Sequence, residues 1–210
     1  MTERATLAAP PPPGKRKRRA KKRKKPAWAA VEGTPAAKKI PDGYHTLTMS
    51  MTVTDAAKAI DFYTAVFGAT ERSRMPSPDG RLMHAELQFG DSVLMLADEF
   101  PEMGNTSATT LGGSPVMVHH YVTNVDETHA KAVEGGGQPI LPVTDMFWGD
   151  RYGAVVDPVG FPWGVASRTE IVTPEQMAER IQAAMAEGAP GQETPEGEAP
   201  AAAEEASPAT

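Results

Sequence analysis

Cysteine is absent from all 210 residues. That single gap excludes disulfide staples, thiolate metal sites and cysteine nucleophiles, and it fits a reducing compartment. Long apolar runs are missing too. No stretch approaches the roughly 20 residues of a membrane span, and the N-terminus lacks the apolar core of a signal peptide. Neither a P-loop, a Rossmann glycine fingerprint nor a serine–histidine–aspartate order occurs. A soluble, cytoplasmic chain with no membrane partner is the expectation. Aromatics make up only 6% of the chain and sit mostly in its middle, where the globular part belongs.

Charge is present but segregated. The net −6 conceals +11 over residues 1–39, −10 over 40–170 and −7 over 171–210. Pro10 to Pro13 leads into a run from Lys15 to Lys25 in which only Ala20 is uncharged. Like charges repel there and nothing apolar offsets the ordering entropy, so residues 1–39 are expected to form a disordered basic tail. Residues 15–25 could contact nucleic acid without sequence preference, or only the acidic parts of the same chain. As a targeting signal, the run would make the protein nuclear or nucleoid-associated. Trp28 alone is too little for a base-stacking platform. Thr173-Pro174-Glu175-Gln176 opens a short helix over 171–187, with Met177, Ile181 and Met185 as a stripe expected to dock on the domain. From 188 to 210, Pro, Ala and Glu dominate and a disordered acidic tail is expected.

The middle repeats itself. Val53-Thr54 recurs as Val122-Thr123 and Gly68 as Gly137, both 69 residues on, while Gly90 recurs as Gly160 after 70. Thr46 to Val53 alternates, with Leu47, Met49, Met51 and Val53 on one side, which predicts a half-buried strand. Thr54 or Asp55 caps a helix with Ala56, Ile60, Tyr63 and Phe67 as its apolar stripe, stopped by Gly68. Strands follow at 70–76, 82–88 and 92–97. The second unit offers a strand at 116–122, a helix at 124–134, an approach segment, and strands at 151–156 and 162–167. A unit used twice implies a shared core and a concave junction suited to small ligands.

Four stretches add a resemblance: Asp55-Ala56-Ala57-Lys58-Ala59-Ile60-Asp61-Phe62-Tyr63 with Phe67-Gly68-Ala69; Met83-His84-Ala85-Glu86-Leu87; Phe147-Trp148-Gly149-Asp150-Arg151-Tyr152-Gly153; and Asp157-Pro158-Val159-Gly160. Over residues 42–170 the chain resembles the vicinal oxygen chelate superfamily, and within it the PhnB-like branch of glyoxalase/bleomycin-resistance proteins. The resemblance implies an α+β fold for 40–170, with two βαβββ modules (about 42–100 and 114–168) forming a curved mixed sheet around a cleft. It further implies a homodimer that binds a small molecule. Metal-dependent members carry His, Gln or Glu on the first and last strands of each module. The matching positions here are Thr48, Leu94, Met117 and Gly164, which make no divalent metal site. No metal ligand and no cofactor is assigned, although a divalent metal stays open.

Strand parity from Met117 turns His119 and Tyr121 toward the cleft and His120 toward the core, as a satisfied histidine. His119 is then the candidate base, or a polar residue of a wet groove. His84 and Glu86 share a strand face, and Glu86 is a second candidate for proton transfer. Trp148 and Tyr152 could stack on a planar ligand and Arg151 could fork onto an anion. Alternatively, Asp150 pairs with Arg151 or caps the turn, and Trp148 closes the dimer or the core. Trp163 falls to the core. With Thr48 and Tyr121, these residues outline three readings: a metal-free small-molecule binder; a lyase, isomerase or dioxygenase of the same superfamily; or a dimeric module whose tail binds nucleic acid.

Overall fold

The computed structural model describes residues 33–187. The basic run at 15–25, Trp28 and the segment from 188 onward lie outside the described residues. Two modules of the same plan follow one another. The first is β1 (Met49–Val53), α1 (Ala56–Phe67), β2 (Thr70–Pro76), β3 (Leu82–Phe89) and β4 (Ser92–Asp98). The second is β5 (Val118–Tyr121), α2 (Val125–Glu134), β6 (Gln138–Asp145), β7 (Asp150–Val156) and β8 (Pro162–Arg168), and α3 (Pro174–Glu187) follows. The approach segment of the second unit is therefore a strand, β6.

Local chemistry sets the helix ends. Asp55 is extended and its carboxylate accepts the Lys58 amide 2.9 Å away, while Asn124 does the same for Glu127 at 3.2 Å. Each satisfies a donor that the first helical turn leaves free. Gly68, at φ +67°, takes the left-handed conformation that ends α1, a place where a Cβ would be strained. β1 begins at Met49 rather than Thr46. The Thr48 hydroxyl turns back onto the His45 carbonyl at 3.2 Å, pairing with β4 starts at Met49 opposite Leu94, and Leu47 is left 92% exposed.

The strands form two four-stranded mixed sheets, ordered β1-β4-β3-β2 and β5-β8-β7-β6. β1 and β5 are the outer strands of their sheets, so the eight strands do not make one hydrogen-bonded sheet. In each module the first and last strands run parallel and the rest antiparallel. Each helix lies on one face of its sheet, and the two helices meet. Met51, Val53, Ala85, Leu87 and Leu96 fill the space against α1, with Val155 and Trp163 in the same core. The Trp163 ring lies 5.0 Å from Tyr63, 4.5 Å from Phe67 and 5.7 Å from Phe89, so one aromatic seam joins the modules.

Asp157 fastens that seam. Its buried carboxylate accepts Tyr63 Oη at 2.6 Å, Trp163 Nε1 at 2.9 Å, and the amides of Val159 and Phe161 at 3.0 and 2.8 Å. Buried Asp98 similarly accepts the amides of Ala56 at 2.7 Å and Leu82 at 2.6 Å, tying α1 to the start of β3. α3 opens with a reciprocal cap between Thr173 and Gln176. Its stripe is only partly covered: Met177 and Ile181 are half-buried and Met185 is 77% exposed. Arg180 anchors the helix instead, paired with Glu170 and donating to the Phe147 carbonyl at 3.3 Å.

Candidate functional site

Alternation along β7 sorts the polar-aromatic cluster onto two faces. Asp150, Tyr152 and Ala154 turn away from α2, while Arg151 and Gly153 turn toward it. Arg151 donates two bonds to Asp126 on α2, at 2.7 and 2.6 Å, and one to Asp145 at 3.1 Å. The expected anion anchor thus has its fork committed to α2, and its hydrogen bond keeps the Asp126 carboxyl below its usual range. Asp150 does not pair with Arg151. Its buried carboxylate accepts Tyr121 Oη and Trp148 Nε1, each at 3.2 Å, with Arg168 Nε 3.9 Å away.

Asp150 therefore gathers rings on the face opposite the helices. His119 lies 4.8 Å from Tyr121 and 5.7 Å from Tyr152, the latter pair nearly parallel at 10°. Trp148 meets Tyr152 edge-on at 5.9 Å. The Tyr152 hydroxyl reaches Met117 Sδ at 3.3 Å, and burial pushes that phenol's pKa up. Two glycines make the arrangement fit. A Cβ on Gly164 would sit 2.5 Å from Tyr152 Oη, so the ring occupies the space that glycine leaves. Gly149, at φ +96°, turns the chain between Trp148 and Asp150, and a Cβ there would come within 2.8 Å of the Glu170 carbonyl.

His119 and Tyr121 also border a cavity of about 350 Å³ between β5 and the β3–β4 hairpin. Met49, Phe89, Leu94, Val118, His120 and Trp163 line its apolar side. His120 does face the core, edge-on to Phe67 and Phe89 at 5.4 and 5.6 Å. It is not satisfied there: its Nδ1 is buried without a hydrogen-bond partner among the described residues. Burial, and then the neighbouring His119, lower its pKa.

The other sequence candidates lie elsewhere. Glu86 stands on β3 opposite Met95, in the row that contains Ser50, on the face of the first sheet away from α1. The Tyr44 hydroxyl and then His84, 3.1 Å away, hold its carboxyl below the usual range, with Arg72 4.0 Å distant. Thr48 spends its hydroxyl on His45. Neither residue lines the cavity beside His119. Met95, not Leu94, corresponds to Gly164, because Ser50 pairs with Met95 as His119 pairs with Gly164. The two hairpin turns differ in length, so Gly90 and Gly160 do not mark one register. Thr48, Met95, Met117 and Gly164 offer one hydroxyl and two thioethers, a donor set that does not fit a catalytic divalent metal. Among the described residues, no group of three or more His, Asp or Glu side chains is placed to hold one.

A family model described as Glyoxalase/Bleomycin resistance protein/Dioxygenase superfamily matches residues 44–165. The chain belongs to that superfamily. An uncharacterized protein of Mycobacterium tuberculosis is 41% identical over 142 residues, covering 66% of this chain and 81% of the relative. Among solved structures, a PhnB protein from Bacillus cereus shares 16% identity over 59% of this chain and 99% of its own, with a TM-score of 0.49. TnmS3, an antibiotic binding protein from Streptomyces, shares 24% identity over 59% and 95%, with a TM-score of 0.45. No helix among the described residues of this glyoxalase-superfamily member is long and apolar enough to cross a membrane.

Proposed function

We propose that this superfamily member is a metal-free binding protein for a small planar molecule, held against the aromatic face of the second sheet and the adjoining cavity. One observation carries the reading: His119, Tyr121, Trp148 and Tyr152 are gathered around Asp150 next to an apolar cavity of ligand size. The near-parallel His119 and Tyr152 rings suit a planar ligand, and the Asp150 carboxylate holds the neighbouring Tyr121 and Trp148 rings in place. The donor set at the four ligand positions favours binding over metal-assisted chemistry. Among the described residues no hydrogen bond orients His119, so it serves as a stacking surface rather than a positioned base.

Two measurements test this. Elemental analysis of the purified full chain, with Zn²⁺, Ni²⁺, Mn²⁺ and Fe²⁺ add-back, should find no stoichiometric metal. A thermal-shift screen of planar aromatic compounds should yield ligands whose binding weakens in His119→Ala and Tyr152→Ala. Metal retained after dialysis, or ligands indifferent to both substitutions, would overturn the proposal.

A further inference from the structure

Strand pairing brings a guanidinium to the end of the aromatic face. On β8, Gly164 pairs with His119 and Ala154, Ala166 with Tyr121 and Tyr152, and Arg168 with Asp150. Side chains two apart share a face of a strand, so Arg168 stands one step beyond the two tyrosines, on the side that carries the rings. Its Nε lies 3.9 Å from Asp150 Oδ1, too far for a hydrogen bond, and its side chain is 67% exposed. Among the described residues it donates no hydrogen bond. The other described arginines are engaged. Arg74, Arg81, Arg151 and Arg180 each donate to a carboxylate, and Arg72 lies over the Tyr44 ring beside Glu86. Asp150 Oδ2 meanwhile accepts from Tyr121 and Trp148, so one carboxylate sets two rings and the guanidinium side by side.

We propose that the planar molecule held on this face carries an anionic group, which Arg168 receives while the ring lies against Tyr121 and Tyr152. The inference rests on the binding reading above and adds a charge class to it. A guanidinium presents parallel N–H donors that match the two oxygens of a carboxylate. Arg168 offers them without the hydrogen bonds that commit Arg151 to α2, and the Asp150 charge keeps it beside the rings. Residues 40–170 carry a net −10, which repels anions at long range, so the attraction is local to Arg168.

Naphthoate and naphthamide test this directly. They share a ring system and a shape, and only naphthoate is charged at neutral pH. Calorimetric titrations of the full chain would measure both, with the Trp148 indole resonance followed by NMR to locate binding. The wild type should bind naphthoate about three- to tenfold more tightly, the range expected for one charge-assisted contact at an open surface. Arg168→Gln should remove that preference, and Arg151→Gln should keep it. Salt supplies a check that needs no variant. It should weaken naphthoate binding by screening Arg168, whereas repulsion from the acidic domain alone would make added salt strengthen it. Three results would overturn the assignment of Arg168 while leaving the aromatic face as a binding surface: equal affinities in the wild type, a preference that survives in Arg168→Gln or is lost in Arg151→Gln, or naphthoate binding that strengthens with salt. If neither probe perturbs the Trp148 resonance, the binding reading of this face falls together with the inference.

Discussion

Replacing Asp157 with alanine should be among the most damaging single changes in the domain. The carboxylate accepts four hydrogen bonds, and the two from Tyr63 and Trp163 come from side chains 0% and 1% exposed. Alanine leaves the Trp163 indole N–H in an apolar core without an acceptor, and the Tyr63 hydroxyl with only the weakly accepting Met51 Sδ, 3.8 Å away. Stranding a buried donor costs about 1–3 kcal/mol, and the carboxylate's own desolvation, relieved on removal, offsets part of the sum. The expected loss is about 3–5 kcal/mol, or a fall in Tm of about 10–15 °C for a domain of this size. Asparagine should fall between alanine and wild type, because whichever way the amide is turned, its NH₂ group faces two donors. Tyr63→Phe removes one bond to a charged acceptor and should cost about 1.5–3 kcal/mol. Urea unfolding, followed by far-UV circular dichroism and tryptophan fluorescence, measures all three. A loss below about 1 kcal/mol in Asp157→Ala, well short of the stranded-donor cost, would refute the reasoning. So would an asparagine variant as stable as wild type.

Other expectations follow from the same geometry. Gly164→Ala should displace the Tyr152 ring, costing about 1–3 kcal/mol of stability, a price typical of overpacking, and weakening planar ligands in the thermal-shift screen. Arg151→Ala should leave ligand affinity unchanged and cost at most about 1 kcal/mol in urea unfolding, because its partners on α2 and β6 are exposed. The lowered Glu86 carboxyl contributes stability that is present above its unfolded pKa and is lost as pH falls through the folded one. Glu86→Gln should therefore flatten the wild type's decline in Tm below about pH 4.5, the ordinary range for this carboxyl. A variant declining as steeply as wild type would remove Glu86 from the acid response.

What the sequence disclosed and what it hid divide along chain distance. Asp55, Gly68 and Asn124 act on backbone groups within a few residues, so their roles as caps were legible. Parity also placed His119 and His120 on opposite faces. The same parity argues that Arg151 and Tyr152, being adjacent in a strand, cannot both face a ligand, and that Asp150 must share the Tyr152 face. Leu94 is not the counterpart of Gly164 because the turns before β4 and β8 differ in length. Strand pairing was needed to find Met95. The Tyr63–Asp157 bond spans 94 residues, and the missing partner of His120 is a property of packing. Neither leaves a trace in local pattern.

The aromatic seam has a consequence for how the two halves can be recombined. Tyr63, Phe67 and Phe89 come from the first module, and His120, Asp157 and Trp163 from the second, yet each set completes the other's interior. Neither half should fold once cut at the connection between β4 and β5, and the domain should melt in a single transition. Exchanging one module for that of a relative should succeed only where these six positions travel as a matched set. The unit of inheritance here is the pair of halves, despite the repeat visible in each.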